Sequence, residues 1–484
     1  MKIRRLLALL LSLCLVAALA VPVTAVEEED ENILFTALEE GEEILPVALE
    51  GEDILLITSE EGPEPAGCDC GEVVQVFVKG FLHPLYYDYE GEQTDEAFVL
   101  LHFLMNDQGE SVKDISKHWK PVPEQVGSHK DESEFEFLYD YRMDPFSNAK
   151  QLGEFIDYLI EATGHKKVAL TGMSQGTSVV TTYLMTGEDV FDKLETVILI
   201  SGSYQGVTVM GELLTNRLAL SATSILNLLA TLNDAPLFKA FMNLLRVLFA
   251  PFETGPSGNA KIFGGAVYNW IIMKLAGQMP AIWTFLPEEY YAEARKLLTG
   301  DAKYEKLLGW ADEYNYNIRP KVPAKLQEAK EAGVKVAVIA HYGKAAIPLV
   351  KTYDRQTDIL IDTMYGSCGA TVAPIGKILA ADQIKNPDYL SPDGIIDSST
   401  CALPDQTWFI KYIGHDFVPS FDLRMKIVHH DVEADGYPSI KSYADFPQYL
   451  RLTEDKLHTV PLVEEPAPAP ANISDAFAAL TAAF

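Results

Sequence analysis

One stretch constrains this chain more than any other: residues 166–184, KKVALTGMSQGTSVVTTYL. A short apolar run (Val168, Ala169, Leu170) leads into Gly172-Met173-Ser174-Gln175-Gly176 and then into a helix-forming segment. Strand, sharp turn and helix, in that order, form the setting that a G-x-S-x-G nucleophile requires. The five-residue pattern alone is a weak signal; its flanks make it specific. The turn holds Ser174 in a strained backbone conformation, at about 1–3 kcal/mol. Gly172 and Gly176 carry no Cβ, so strand and helix can approach closely around it. Ser174 then stands at a helix N-terminus, where free N–H groups and the helix dipole favour a developing negative charge.

A serine hydroxyl is a poor nucleophile at neutral pH. It needs a general base in contact, and the base needs an acid to fix its tautomer. Folds built on such an elbow place the acid and then the histidine after it in the chain. Here Asp358, in TDILIDT, lies beyond a strand expected at 334–340, and His415 lies directly after one expected at 407–413. Asp362 and Asp393 are rival acids, the DGIID segment at Asp393 repeating the same pattern; His429 and His430 are rival bases. The oxyanion donors expected are the backbone N–H groups of Gln175 and of Phe81, with Leu82 as the alternative to Phe81. No metal and no cofactor is called for by this chemistry.

The rest of the chain organises around that stretch. Residues 1–25 pair a basic start (Lys2, Arg4, Arg5) with an apolar run and a small-residue end, the pattern of a secretory signal peptide. No later apolar run is long enough to span a bilayer, so a secreted, soluble mature chain is expected. Loss of those three basic residues takes the net charge from −32 to −35, because no acidic residue leaves with them. Such a surface repels phosphate backbones and anionic headgroups, which argues against nucleic-acid partners and electrostatic membrane docking. Residues 26–72 carry 17 acidic residues and no Lys or Arg, and read as a solvated acidic arm. Export permits disulfides. The remaining Cys68, Cys70, Cys368 and Cys401 allow three pairings, of which Cys368–Cys401 is favoured. Cys68-Asp69-Cys70 is a local pair or a metal-ligand fragment, and a lone C-x-C is a poor metal signal.

Apolar β-branched runs at 73–81, 135–141, 168–170, 196–201, 334–340 and 407–413 alternate with helical patterns, which implies a parallel sheet with helices on both faces. A helix capped by Ser147 or Asn148 is expected to run to residue 162, with Gly164 past its end. Residues 207–330 are different: long apolar helical segments punctuated by Pro and Gly, too long for a structureless loop and expected to cap the carboxyl edge of the sheet. An apolar cap implies an apolar cleft beneath it. The organisation is therefore a signal peptide (1–25), an acidic arm (26–72), a first core part (73–206), a cap (207–330), a second core part (331–430) and a C-terminal extension with a Pro/Ala linker (431–484).

Several segments together resemble an α/β-hydrolase of the lipase and esterase type, distantly similar to the lecithin–cholesterol acyltransferase group. They are Val78-Lys79-Gly80-Phe81, Tyr139-Asp140-Tyr141-Arg142, the elbow itself, Ser201-Gly202-Ser203 and Thr357-Asp358-Ile359-Leu360-Ile361. The resemblance covers residues 73–206 and 331–416. It implies an α/β-hydrolase fold with a mostly parallel sheet, a large helical cap, and hydrolysis of lipid-like esters by a Ser174–His415–Asp358 triad. Acyl transfer by the same triad, and a non-catalytic apolar-ligand carrier on the same scaffold, are the alternatives. Departures from the family pattern are Lys79 in place of His, Met173 in the elbow, Thr177 in place of a second Gly, and Ile359 where Gly usually follows the acid.

Overall fold

A computed structural model describes residues 73–81, 105–110, 134–218, 273–347, 349–352, 354–416 and 418–463. The expected signal peptide, acidic arm, Cys68-Asp69-Cys70, Leu82, the first cap helices and the Pro/Ala linker lie outside them. The chain divides into two compact units, residues 1–66 and 67–484, and all described residues belong to the second.

Among the described residues its centre is an eight-stranded sheet. The strands are β1 (Gln75–Val78), β2 (Glu134–Phe137), β3 (Val168–Met173), β4 (Leu194–Ile200), β5 (Lys335–Tyr342), β6 (Thr407–Lys411), β7 (Tyr449–Leu452) and β8 (Thr459–Pro461), in the order β8-β7-β6-β5-β4-β3-β1-β2. Every pairing is parallel except β7 with β8. β3, β4 and β5 are buried on both sides, which is why they read as continuous apolar runs rather than alternating ones. β1 is shorter than its apolar run: only Gln75–Val78 pairs, and the chain leaves the sheet at Lys79. β7 and β8 lie inside the stretch expected to be an extension, so the sheet continues well past residue 430.

Among the described residues four helices cover the sheet: α1 (Pro145–Thr163), α2 (Gly176–Thr186), α3 (Val322–Glu331) and α4 (Phe421–Val428). α1 packs on α2, and α2 on β3 and α3. On the other face Leu423, Ile427 and Val428 of α4 pack with Ala169, Ile198, Ile200, Ala337, Ile339, Trp408 and Ile410. α1 buries the expected stripe of Leu152, Phe155, Ile156 and Leu159, and ends at Gly164 with φ 70°. Its cap is neither Ser147 nor Asn148 but Asp144, which accepts from the Ser147 N–H at 2.8 Å. Pro145 takes the first helical position, where no N–H is needed, so the helix starts before both expected caps. A mostly parallel sheet, helices on both faces and a strand–turn–helix elbow at the end of β3 make this an α/β-hydrolase fold.

Within 207–330 the described pieces are short helices, including Thr208–Leu214, Pro280–Thr284, Glu288–Ala294 and Glu305–Asp312, with a π-helical turn at Glu313–Ile318. Met279, Ile282, Trp283, Phe285, Leu286 and Tyr290 form an apolar cluster that also takes in Phe81, Leu360 and Ile361. Those three follow β1 and Asp358, so this insertion packs against the carboxyl edge of the sheet. No described helix is long and apolar enough to cross a membrane.

Candidate active site

Ser174 follows the last residue of β3 and has φ 54°, a conformation that side chains other than glycine rarely adopt. Its backbone is held from several directions. The Ser174 N–H donates to Ile200 O at 3.0 Å. Its carbonyl accepts from Thr177 N (3.1 Å), Thr177 Oγ1 (2.5 Å), Ser203 N (3.3 Å) and Ser203 Oγ (3.1 Å). Thr177, a departure from the family pattern, thus serves as a clamp on the elbow. A Cβ on Gly176 would collide with Val78 O, and one on Gly172 would lie 3.0 Å from the backbone of Gly176 and Thr177. Both glycines are needed for close approach, as the spacing suggests.

The loop after β1 lies against the same serine. A Cβ on Gly80 would sit 2.7 Å from Ser174 Cβ and 3.0 Å from its Oγ. The Tyr139-Asp140-Tyr141-Arg142 segment braces this arrangement. Tyr139 Oη donates to Lys79 O at 2.6 Å, and Gln175 Nε2 donates to Tyr141 O at 2.5 Å. Lys79 pairs with Glu136, and the buried Arg142 guanidinium forks onto Asp140 at 3.0 and 2.8 Å. Phe81 packs edge-on against Tyr141 and Phe285, with ring centroids 4.7 and 5.7 Å apart. The motif therefore ties the two expected oxyanion residues, Phe81 and Gln175, to one rigid segment.

Asp358 and His415 meet. His415 Nδ1 and Asp358 Oδ2 are 2.7 Å apart, with the carboxylate fully buried and the imidazole 12% exposed. Asp358 Oδ1 accepts from the N–H groups of Leu360 (3.0 Å) and Ile361 (2.7 Å), and Ser201 Oγ donates to Oδ2. Burial alone would push this carboxyl up; the charge and hydrogen bond of His415, the nearby His341 and the Ser201 hydroxyl outweigh it and hold it down at about 2. Burial pushes His415 down, but Asp358 outweighs that and raises it above its ordinary 6.5. Ile200, whose carbonyl holds Ser174, and Ser201, whose hydroxyl holds Asp358, are joined by one peptide bond. The elbow and the acid–base pair thus attach to the same end of β4. No hydrogen bond joins Ser174 Oγ to His415 among the described residues; with Nδ1 engaged, Nε2 is the ring nitrogen left for a hydroxyl.

The rivals are occupied elsewhere. Asp393 faces Lys411 at 3.1 Å and accepts from Tyr342 Oη. Asp362 accepts from Thr208 N and Oγ1 at 2.9 and 2.8 Å. His430 Nε2 lies 2.8 Å from Gly436 O and packs on Tyr443, and His429 ends α4. Cys368 and Cys401 are both buried free thiols, not the expected disulfide.

Two residues here were not singled out from the sequence as parts of the site. Ser201, at φ 47°, contacts Asp358. His341, on β5, places Nδ1 4.0 Å from Asp358 Oδ2 and Nε2 3.1 Å from Ser420 Oγ; burial pushes it down to about 4, so it is neutral. Ser201 stands in the Ser201-Gly202-Ser203 segment that carries the resemblance, which gives it no role, and His341 has no local signal beyond a buried strand. Ile359, where the family pattern has Gly, has φ 91°: the backbone keeps the glycine-like conformation with a β-branched side chain in it.

Neither a protein-family model nor a curated protein matches the chain. Solved structures that overlap it include Aspergillus fumigatus lipase B (16% identity, 28% of this chain and 26% of that one, TM-score 0.18). Phospholipase PlaB from Legionella pneumophila overlaps over 60% of this chain and 44% of its own, at 10% identity and TM-score 0.26. Bacillus licheniformis lipase BlEst2 in mature form overlaps over 48% and 82%, at 16% identity and TM-score 0.21. The chain spans less than half the length of the first two. The fold is read from the sheet order and the elbow.

Proposed function

We propose that this chain is an exported serine hydrolase that cleaves carboxylic esters with apolar acyl groups. The observation that carries it is the 2.7 Å Asp358–His415 hydrogen bond, attached through Ser201 to the strand end that also holds the strained Ser174. In the proposed reaction Ser174 Oγ attacks the ester carbonyl carbon and its proton passes to His415 Nε2. The N–H groups of Gln175 and Phe81 receive the oxyanion, each worth about 2.7–4 kcal/mol of transition-state stabilisation. As the C–O bond breaks, His415 returns the proton to the departing alcohol and acyl-Ser174 remains. Water then attacks the acyl carbon, giving its proton to His415. As the intermediate collapses, the bond between the acyl carbon and Ser174 Oγ breaks, His415 returns that proton to Ser174 Oγ, and the carboxylic acid leaves. Asp358 holds the ring and stabilises its positive charge without taking the proton.

The apolar cluster of the insertion, with Phe81, Phe285 and Leu360 beside the site, supports an apolar acyl group. A fluorophosphonate should label Ser174 and fail to label Ser174→Ala. Labelling elsewhere, or none in folded protein, rejects the nucleophile. A p-nitrophenyl ester series from acetate to palmitate tests the acyl group, with longer chains expected to be preferred; a short-chain preference rejects the lipid-like substrate and leaves the mechanism standing. Product analysis with added alcohol separates hydrolysis from acyl transfer.

A further inference from the structure

Ser201 is only 1% exposed and is held at φ 47°, where a non-glycine residue is strained. Its N–H still completes the ladder, donating to Ile339 O at 2.9 Å, and the kink that follows aims the hydroxyl sideways at Asp358. The Asp358 carboxylate then receives four donors: Leu360 N and Ile361 N on Oδ1, Ser201 Oγ and His415 Nδ1 on Oδ2. Ser201 and His415 thus share one oxygen. The geometry points to Ser201 as a positioning residue of the acid–base pair, one that fixes the carboxylate against the imidazole and takes up part of its negative charge.

This inference rests on the triad proposed above. The consequence has a sign. A carboxylate that gives part of its lone-pair density to Ser201 attracts the imidazolium less strongly. His415 therefore loses its proton at lower pH than it would beside an unshared carboxylate. The charged groups around the pair are few among the described residues: Asp358 and Asp416 act on His415, and His341 lies 4.0 Å from the carboxylate. His341, held neutral by burial, adds no charge at neutral pH.

Ser201→Ala removes the hydroxyl and keeps the strain; Ser201→Gly removes both. In p-nitrophenyl ester hydrolysis both variants should lower kcat about 10-fold, the order expected for one hydrogen bond to a charged group. KM should stay within about twofold, and the acid limb of kcat/KM should move to higher pH by about half a unit. Ser201→Gly should melt no lower than Ser201→Ala. An acid limb that stays put in both variants, with Ser174 still labelled by the fluorophosphonate, overturns the role of Ser201. Full activity in Ser174→Ala overturns the triad instead, so the two failures are distinguishable.

Discussion

Replacing Gly80 by alanine puts a methyl carbon 2.7 Å from Ser174 Cβ and 3.0 Å from Ser174 Oγ. Carbon atoms pack at about 3.5–4.0 Å, so about 1 Å of separation has to be found. Neither neighbour gives readily. The loop is held by Tyr139 on Lys79 O and by the Lys79–Glu136 ion pair. The serine is held by Ile200 O and by the clamp on its carbonyl. Whichever yields, the hydroxyl or the Phe81 N–H moves by a large part of that 1 Å. A misplacement of about 1 Å costs roughly 100-fold in rate, or about 2.7 kcal/mol at 1.36 kcal/mol per tenfold. Overpacking should cost a further 1–3 kcal/mol or so of stability, leaving a folded protein. The assay is kcat and KM on a p-nitrophenyl ester, with the fluorophosphonate labelling rate and a thermal melt on the same sample. Both kcat/KM and the labelling rate should fall about 100-fold. A Gly80→Ala protein with wild-type kcat/KM would refute the packing of the loop against the nucleophile.

Three further outcomes are expected. Ile359→Gly should melt at or slightly above wild type, because about 1–3 kcal/mol of strain at φ 91° is relieved against about 0.5–1 kcal/mol of added chain entropy; a clear drop would show that Ile359 packing dominates. His341 has its folded pKa lowered from 6.5 to about 4, so the unfolded chain binds its proton first and stability should fall by about 3 kcal/mol as pH drops through that window. Asp358, depressed to about 2, contributes stability that is lost only as pH falls below the ordinary 3.8, whereas the contribution of His415, whose pKa is raised, is lost only as pH rises above 6.5. Urea midpoints between pH 7 and 4 should therefore be flatter in His341→Gln than in wild type, and equal slopes would refute this account. Arg142→Leu removes the buried guanidinium and its fork onto the partly exposed Asp140 and should cost about 1.5–3 kcal/mol in denaturant unfolding, with a loss under 1 kcal/mol counting against the brace.

Much of the core was legible because its signals are local. The apolar β-branched runs of β3, β4 and β5 are buried on both faces, and burial on both faces is what a continuous apolar run encodes. The elbow was legible because a turn this tight demands small residues at fixed offsets. β7 and β8 carry no such signal because they are only four and three residues long, too short for a period to show, and β8, the edge strand, buries none of its residues. The start of α1 was misplaced because three capping residue types stand within five positions, and only the β/extended backbone of Asp144 selects among them.

By itself the sequence determined the elbow around Ser174, the alternation of strand and helix, and a short set of acids and histidines in the required order. It left Asp358, Asp362 and Asp393 all open, since each is an aspartate near a strand end. Tertiary structure decided among them by supplying partners far along the chain: Lys411 for Asp393, Thr208 for Asp362, and Ser201 and His415 for Asp358. It alone exposed Ser201 and His341, because a hydroxyl 157 residues from its acceptor leaves no local pattern, and a buried imidazole in an apolar strand looks like any other core residue. Periodicity records which face of an element is covered; which charge meets which donor is set by the close packing of segments that the chain brings together only when folded.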